Sequence, residues 1–255
     1  MNAVAHSRQE ELLRVLHASG YVSYAEAAQT FGVSEMTIRR DVGRLEADGL
    51  ARRVSGGASV VGSPHGLPYE ERDRRDVAAK RQIGEAVAPL VAGAAVVALD
   101  AGTTVLHAVA ALPAGATVLT HSVPAITAVA ARGELDLVGL GGTYVPETRS
   151  FAGRSAVEAL AGHVIDVAVL SATALDTSGV MCTNGADAEI KRALVAAAQR
   201  VVVLADSSKF ASRAPFRFAT WDDVTTLVTD SRASAEELDA PRGAGAGVVV
   251  PVGQA

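Results

Sequence analysis

Two hydrophobic rhythms divide the chain. Over residues 8–47 the apolar positions recur every three or four residues, as on one face of a helix. Leu12, Val15 and Leu16 predict a helix over residues 8–19, with residues 1–7 frayed and Gly20 as its stop. Ser23 predicts the cap of a short second helix, 24–31, packed through Ala27, Ala28 and Phe31. Gly32 and Val33 make a turn. Ser34 is a favourable N-cap. Ile38, Val42 and Leu45 follow at i, i+4 and i+7, the inner face of a third helix that Gly49 stops. At about 100° per residue, Thr37, Arg40 and Arg44 fall on the opposite face. Met36 and Gly43 lie between them, and Arg39 is on the flank. Arg52 and Arg53 then enter a short apolar run broken by Gly56-Gly57, a tight turn. Three short helices and a hairpin predict a winged helix-turn-helix over residues 1–60.

From residue 76 the rhythm changes. Residues 77–91 predict a helix with Ile83, Val87 and Leu90 inward, bent or ended by Pro89. Short, wholly apolar runs then alternate with helical patterns. Strands are expected at 96–99, 117–120, 135–140, 164–170 and 201–205, with later ones at 225–228 and 247–252. Helices are expected at 104–112, 124–132, 155–161 and 188–198. Such alternation implies an α/β domain over 76–255 whose mostly parallel sheet is covered on both faces. The two domains are joined by a linker, residues 61–75. It opens with V-G-S-P-H-G-L-P, which has no periodicity. The charged run from Tyr69 to Arg81 has two readings: a solvated helix face, or an interdomain hinge whose salt bridges differ between two states.

Charge sharpens the first domain. The chain of 255 residues carries a net charge of -5, so it has no bulk attraction to nucleic acid. Residues 1–60 hold seven arginines against seven acids. A non-specific DNA coat would be basic throughout, so groove contact must come from a local patch. Hydrophobic content of 49% supports a sizeable core. The single cysteine, Cys182, excludes an internal disulfide and a Cys-rich zinc site. The N-terminus turns polar almost at once, unlike a signal peptide. Apolar runs such as 92–99 are too short to span a bilayer. A soluble, cytoplasmic protein without a membrane partner is expected.

Polar residues gather where the predicted strands end: Asp100 to Thr104, His121-Ser122, Gly141-Gly142-Thr143, residues 171–176, and Asp206 to Lys209. In an open α/β sheet, ligands bind outside the carboxyl ends of the strands. Gly102 would let backbone approach a ligand, with Thr103 and Thr104 offering hydroxyls and the next helix its amides and dipole. That is an anion cradle suited to phosphate. It is not a nucleotide-hydrolysing loop, since G-x-x-x-x-G-K-[ST] is absent. Gly141 and Gly142 add amides. Lys191 and Lys209 suit phosphate or sugar oxygens, and Asp100 suits sugar hydroxyls. His121 either lines the site or makes a local hydrogen bond. The plainer alternatives are turn glycines and, for Lys191, a surface charge. Neither cofactor nor metal is expected.

The run T-I-R-R-D-V-x-R-L-E-x-x-G-L-x-R-R-x-x-G-G-A resembles the DNA-binding signature of DeoR-family bacterial repressors. The resemblance continues in P-Y-E-E-R at 68–72, Lys80, D-A-G-T-T, G-G-T and D-S-S-K-F. It implies that the third helix enters the major groove of double-stranded operator DNA. Ser34, Met36, Thr37, Arg39, Arg40 and Arg44 would then face the DNA, and Arg52 and Arg53 would contact phosphates or the minor groove. It also implies a ribose-5-phosphate isomerase-like sensor for a phosphorylated sugar or polyol. The function implied is a repressor of sugar or polyol metabolism genes. A homodimer or homotetramer is expected, because such readers use paired half-sites. His121 stands where the family usually has Asn, and Ser171 and Ala174 where it often has glycines. The alternatives are a sugar-phosphate isomerase-like enzyme with an appended helical domain and a structural or protein-interaction module. An enzyme would draw its base from Asp100, Asp176, Asp187, Glu189 or Asp206.

Overall fold

The computed structural model describes residues 3–19, 21–54, 56–60, 69–210 and 212–251. The first helix, α1 (Ala3–Ser19), begins inside the stretch expected to fray, 1–7. The V-G-S-P-H-G-L-P linker and Gly20 lie outside the described residues. Next come β1 (Tyr21–Ser23), α2 (Tyr24–Phe31) and α3 (Glu35–Ala47), then the hairpin β2 (Ala51–Val54) and β3 (Gly57–Val60). Ser23 and Ser34 cap α2 and α3 as their positions predict, each side chain accepting a backbone N–H of the first turn. Leu12, Leu16, Ile38, Val42 and Leu45 form one buried cluster with Ala58. The hairpin gains a third strand, since β1 pairs antiparallel with β3.

Residues 69–74, inside the stretch expected as linker, form a helix, α4 (Tyr69–Arg74), with Tyr69 buried. The helix expected over 77–91 is broken into α5 (Val77–Glu85) and α6 (Ala88–Val91), with Pro89 in the first turn of the second piece. There follow β4 (Val96–Leu99), α7 (Thr103–Leu106), β5 (Thr117–Thr120), α8 (Val123–Arg132) and β6 (Asp136–Gly139). A hairpin, β7 (Thr143–Val145) and β8 (Ser150–Ala152), leads to α9 (Arg154–Glu158) and β9 (Ile165–Ser171). Then come β10 (Ala174–Asp176), β11 (Gly179–Cys182), α10 (Gly185–Ala197), β12 (Ala198–Leu204) and β13 (Phe216–Ala219). The described chain closes with β14 (Thr226–Val228), α11 (Asp239–Gly243) and β15 (Gly247–Val249).

Seven strands form one parallel sheet in the order β15-β14-β12-β9-β4-β5-β6. Alternate residues of each strand serve opposite faces. Ala98, Leu119, Ala168, Leu170 and Val203 pack with Ile190 and Leu194 of α10. Val97, Leu99, Val118, Val167, Val169 and Val202 pack with Ile83, Val87, Val105 and Val129 on the other side. Burial on both faces accounts for the uninterrupted apolar strands. The short antiparallel sheet β10-β11-β13 and the β7-β8 hairpin lie outside the expected pattern.

Strand order reverses between β4 and β9. From β4 the chain moves outward to β5 and β6, and from β9 it moves the other way to β12, β14 and β15. The loops after these two neighbouring strands therefore diverge and leave a crevice, the position where open α/β sheets hold ligands.

Candidate functional site

Two sites are built on these elements. The first is the outer face of α3. Ser34 Oγ accepts from the Thr37 amide at 3.3 Å, and the two hydroxyls lie 3.0 Å apart. Met36 is 67% exposed. Arg40 is exposed with no side-chain partner among the described residues. Arg39 lies 4.2 Å over the Tyr24 ring and 3.7 Å from Glu35, and Arg44 lies 3.9 Å from Asp41. Met36, Arg40 and Arg44 thus lie exposed on the outer face of α3, with Arg39 held at the side.

Sequence reasoning missed Asp41. Its buried carboxylate accepts from Arg8 Nε at 2.6 Å and from Gln9 Nε2 at 2.9 Å, which locks α3 to α1. A signal was available, since Asp41 falls on the same face as the apolar Ile38, Val42 and Leu45.

The wing arginines each have an acidic partner within the protein. Arg53 folds back on α3, with Nε 2.7 Å from Glu46 and its guanidinium against Gly43, where a Cβ would come within 3.0 Å of Nη2. Arg52 faces Glu71 of α4 at 3.7 Å. With these partners in place, the Arg53 side chain stays 55% exposed.

The second site is a cavity of about 710 Å³ in the crevice between β4 and β9. Thr103, Thr104, Ser171, Asp206 and Lys209 line it at the strand ends. Asp187 and Lys191 enter from α10, and Tyr69, Arg72, Arg75 and Lys80 from the segment before β4. Beneath its floor Asp100 is fully engaged. One oxygen accepts from the Gly102 amide at 2.8 Å; the other accepts from the Ser171 amide at 2.8 Å, the Ser171 hydroxyl at 3.1 Å and the Lys191 ammonium. Lys191 also donates to the Ser171 carbonyl at 3.1 Å. Such a saturated buried pair fixes geometry more than it adds stability.

The electrostatics are tuned by burial. Asp187 lies 3.8 Å from Lys191. Desolvation pushes its carboxyl up to about 7, against the pull of the Arg72 guanidinium and a hydrogen bond with Cys182. Desolvation lowers the Lys191 ammonium, and Arg72 lowers it further. Lys80 falls to about 8, first through burial and then through the like charge of Lys209. Lys209 sits 3.7 Å from Asp206, whose carboxylate also caps the following turn at Ser208. Arg72 donates to the Glu147 carbonyl at 3.2 Å and stacks 5.6 Å over Tyr69.

Of the expected effector residues, Gly102, Thr103, Thr104, Lys191 and Lys209 line the cavity, and Asp100 supports them from below. Gly102 has a reason beyond the one anticipated. A Cβ there would sit 2.1 Å from Ser171 Oγ, so glycine lets the loop pass β9. The helix it caps has only four residues, followed by a 3₁₀ turn at His107–Ala111, so its dipole is small. His121, Gly141 and Gly142 lie off the cavity wall. His121 is wholly buried, with Nδ1 2.8 Å from the Phe151 carbonyl, and burial drives its imidazole down to about 4. Gly141 is exposed. Gly142, at φ +132, leaves room for the Ala152 carbonyl that a Cβ would meet at 2.6 Å. Ala174 is buried in β10. Arg72, Arg75 and Lys80 line the cavity without having been among the expected effector residues, though all three lie in the charged run over 69–81, and Asp187 was anticipated only as a possible enzyme base.

Among the described residues, no cluster of three or more His, Cys, Asp or Glu could hold a metal ion. No helix among them is long and apolar enough to cross a membrane.

Comparison with known proteins matches residues 8–63 to the DeoR-like helix-turn-helix domain and residues 75–231 to the DeoR C-terminal sensor domain. The chain belongs to the DeoR family. Relatives of this DeoR-family chain include the transcriptional repressor AccR of Agrobacterium fabrum, 31% identical over 88% of this chain and 89% of that one. The L-fucose operon activator of Haemophilus influenzae is 30% identical over 88% of this chain and 91% of its own length. Both are named as regulators of transcription rather than as enzymes. Ribose 5-phosphate isomerase A from Neisseria gonorrhoeae aligns with 52% of the chain and 53% of its own at 19% identity and a TM-score of 0.37, too low to carry an argument.

Proposed function

We propose that this DeoR-family regulator is a cytoplasmic, sequence-specific repressor whose hold on operator DNA is set by a phosphorylated sugar or polyol in the sensor cavity. The observation that carries the effector class is that Lys80 and Lys209 line one cavity together with Arg72, Arg75 and the hydroxyls of Thr103 and Thr104. A phosphate there accepts from the cationic side chains and from Thr103 and Thr104. Asp187 and Asn184, on the same wall, suit sugar hydroxyls as acceptor and donor. Arg40 supplies the free bidentate fork that groove recognition of guanine uses. A helix-turn-helix reader needs two half-sites, so the working unit is a homodimer or a homotetramer. One relative is named for repression and another for activation of an L-fucose operon. A sugar-linked operon is therefore the reading they favour.

The test is thermal unfolding of the purified protein against a panel of phosphorylated and unphosphorylated sugars and polyols. A ligand that binds only the folded state raises the midpoint. The rise is expected for phosphorylated compounds and is expected to shrink in Lys209→Ala. Equal rises for the unphosphorylated compounds, or a full response in Lys209→Ala, reject the effector class.

A second reading, an isomerase-like enzyme, has one observation in its favour: the Asp187 carboxyl titrates near neutrality beside the Lys191 amine. Such pairs suit proton transfer. Against it, Lys191 is held by Asp100 and Ser171 and has no freedom to reach a substrate. Conversion of ribose 5-phosphate or fructose 6-phosphate, followed by NMR, would establish the enzyme; no turnover is expected.

A further inference from the structure

The cavity is not walled by the sensor domain alone. Arg53 and Val54, at the end of the wing strand β2, form part of its lining together with Arg72, Thr103 and Lys209. The approach is held by Arg52, which faces Glu71 of α4 at 3.7 Å. The same short helix carries Tyr69 and Arg72, both on the cavity wall. Tyr69 is anchored between the guanidinium of Arg72, at 5.6 Å from its ring, and that of Arg149, at 5.4 Å. Among the described residues Arg52 Nη1 is buried without a hydrogen-bond partner, an unmet donor at this junction.

We propose that Arg53 of the DNA-binding wing is also an effector-binding residue, so that an anion in the sensor cavity and the phosphates of operator DNA draw on the same arginine. This rests on the reading of the cavity as an anion site. Arg53 has a surface carboxylate, Glu46, as its present partner, and its side chain is 55% exposed, so exchanging that partner for a bound anion costs little. Its guanidinium also rests on Gly43 of α3, so its change of partner is felt at the groove helix without a long relay. The coupling between effector and DNA is then negative and reciprocal. It carries a distinctive signature. Diverting one phosphate-contacting arginine per domain makes the salt dependence of DNA binding shallower, by about 0.9 in log K per log salt for each DNA phosphate that is no longer neutralised.

The experiment uses the full-length protein with inorganic phosphate as probe, at ionic strength held constant with chloride. Phosphate affinity is measured by calorimetric titration for the natural sequence and for Lys209→Ala, Arg53→Gln and Glu71→Gln. Arg53→Gln is expected to weaken phosphate binding by about three- to tenfold, the range of an ordinary net hydrogen bond. Glu71→Gln, which lies outside the lining, is expected to weaken it by about two- to fivefold by releasing the wing. Melting curves confirm that each variant is folded. If Lys209→Ala loses affinity while Arg53→Gln and Glu71→Gln keep it, the wing is no part of the site and the proposal is overturned, with the anion site intact. If the natural sequence binds no phosphate, or Lys209→Ala binds it undiminished, the anion site itself fails and the proposal with it.

Discussion

Replacing Gly102 by alanine isolates the most constrained contact of the cavity floor. An added Cβ would stand 2.1 Å from Ser171 Oγ and 2.3 Å from Ser171 Cβ. An ordinary carbon contact is about 3.5 Å, so roughly 1 Å of movement is needed. Rotating the serine does not provide it, because its Cβ also collides. The hydroxyl is moreover committed to Asp100, which orders Lys191 and the Gly102 amide. The loop after β4 must therefore shift away from β9. Overpacking of this kind costs about 1–3 kcal/mol. For a chain of this size that is roughly 2–4 °C in melting temperature per kcal/mol. Ser171→Gly removes the obstruction and, alone, loses the hydroxyl's hydrogen bond and adds the backbone entropy of a strand glycine, about 0.5–1 kcal/mol. The double variant Gly102→Ala/Ser171→Gly should then be more stable than the sum of its parents by about 1 kcal/mol or more. Urea unfolding of the four proteins measures this. Additive effects, or an unperturbed Gly102→Ala, would refute the argument that glycine stands here to clear β9.

Two other perturbations test separate parts of the molecule. Arg40→Ala removes an exposed side chain without a partner, so the melting temperature should stay put while operator binding weakens by about 1–3 kcal/mol in a gel-shift titration at fixed salt. Undiminished binding would remove Arg40 from the groove. His121 predicts a pH dependence. Its imidazole is held at about 4 in the native state and titrates near 6.5 when unfolded. The native state thus binds fewer protons between these values, so the contribution to stability is whole above pH ~6.5 and is lost as pH falls toward 4. The full loss is about 3 kcal/mol at about 1.4 kcal/mol per pH unit. His121→Asn should flatten that limb of the urea midpoint against pH, and an unchanged limb would show that burial of a neutral imidazole is not its cause.

The elements with strong local signals were legible in the sequence. The caps at Ser23 and Ser34 need only residues within three positions, and central parallel strands such as β4, β5 and β9 announce themselves by being apolar on both faces. The three-residue strands β1, β7 and β10 carry too few positions to establish a period of two, and tertiary pairing decides them. The site divides in the same way. Thr103, Thr104 and Lys209 follow strand ends, so topology alone brings them together. Asp100 and Lys191 are 91 positions apart, and nothing local announces that one neutralises the other. Gly141, Gly142 and His121 also follow strands, but β5 and β6 lie to one side of the switch point, away from the cavity. The approach of the wing to the cavity was illegible because Arg52 and α4 meet only through the packing of two domains.

The most direct measurement is of reciprocal coupling. A duplex selected from random sequence by the purified protein is titrated with and without the phosphorylated compound that gives the largest thermal shift. That compound is then titrated with and without the duplex. Affinity for DNA should fall when the cavity is filled, and affinity for the compound should fall by the same factor when DNA is bound. DNA affinity that is unmoved at saturating effector would contradict control of the α3 face by the sensor cavity.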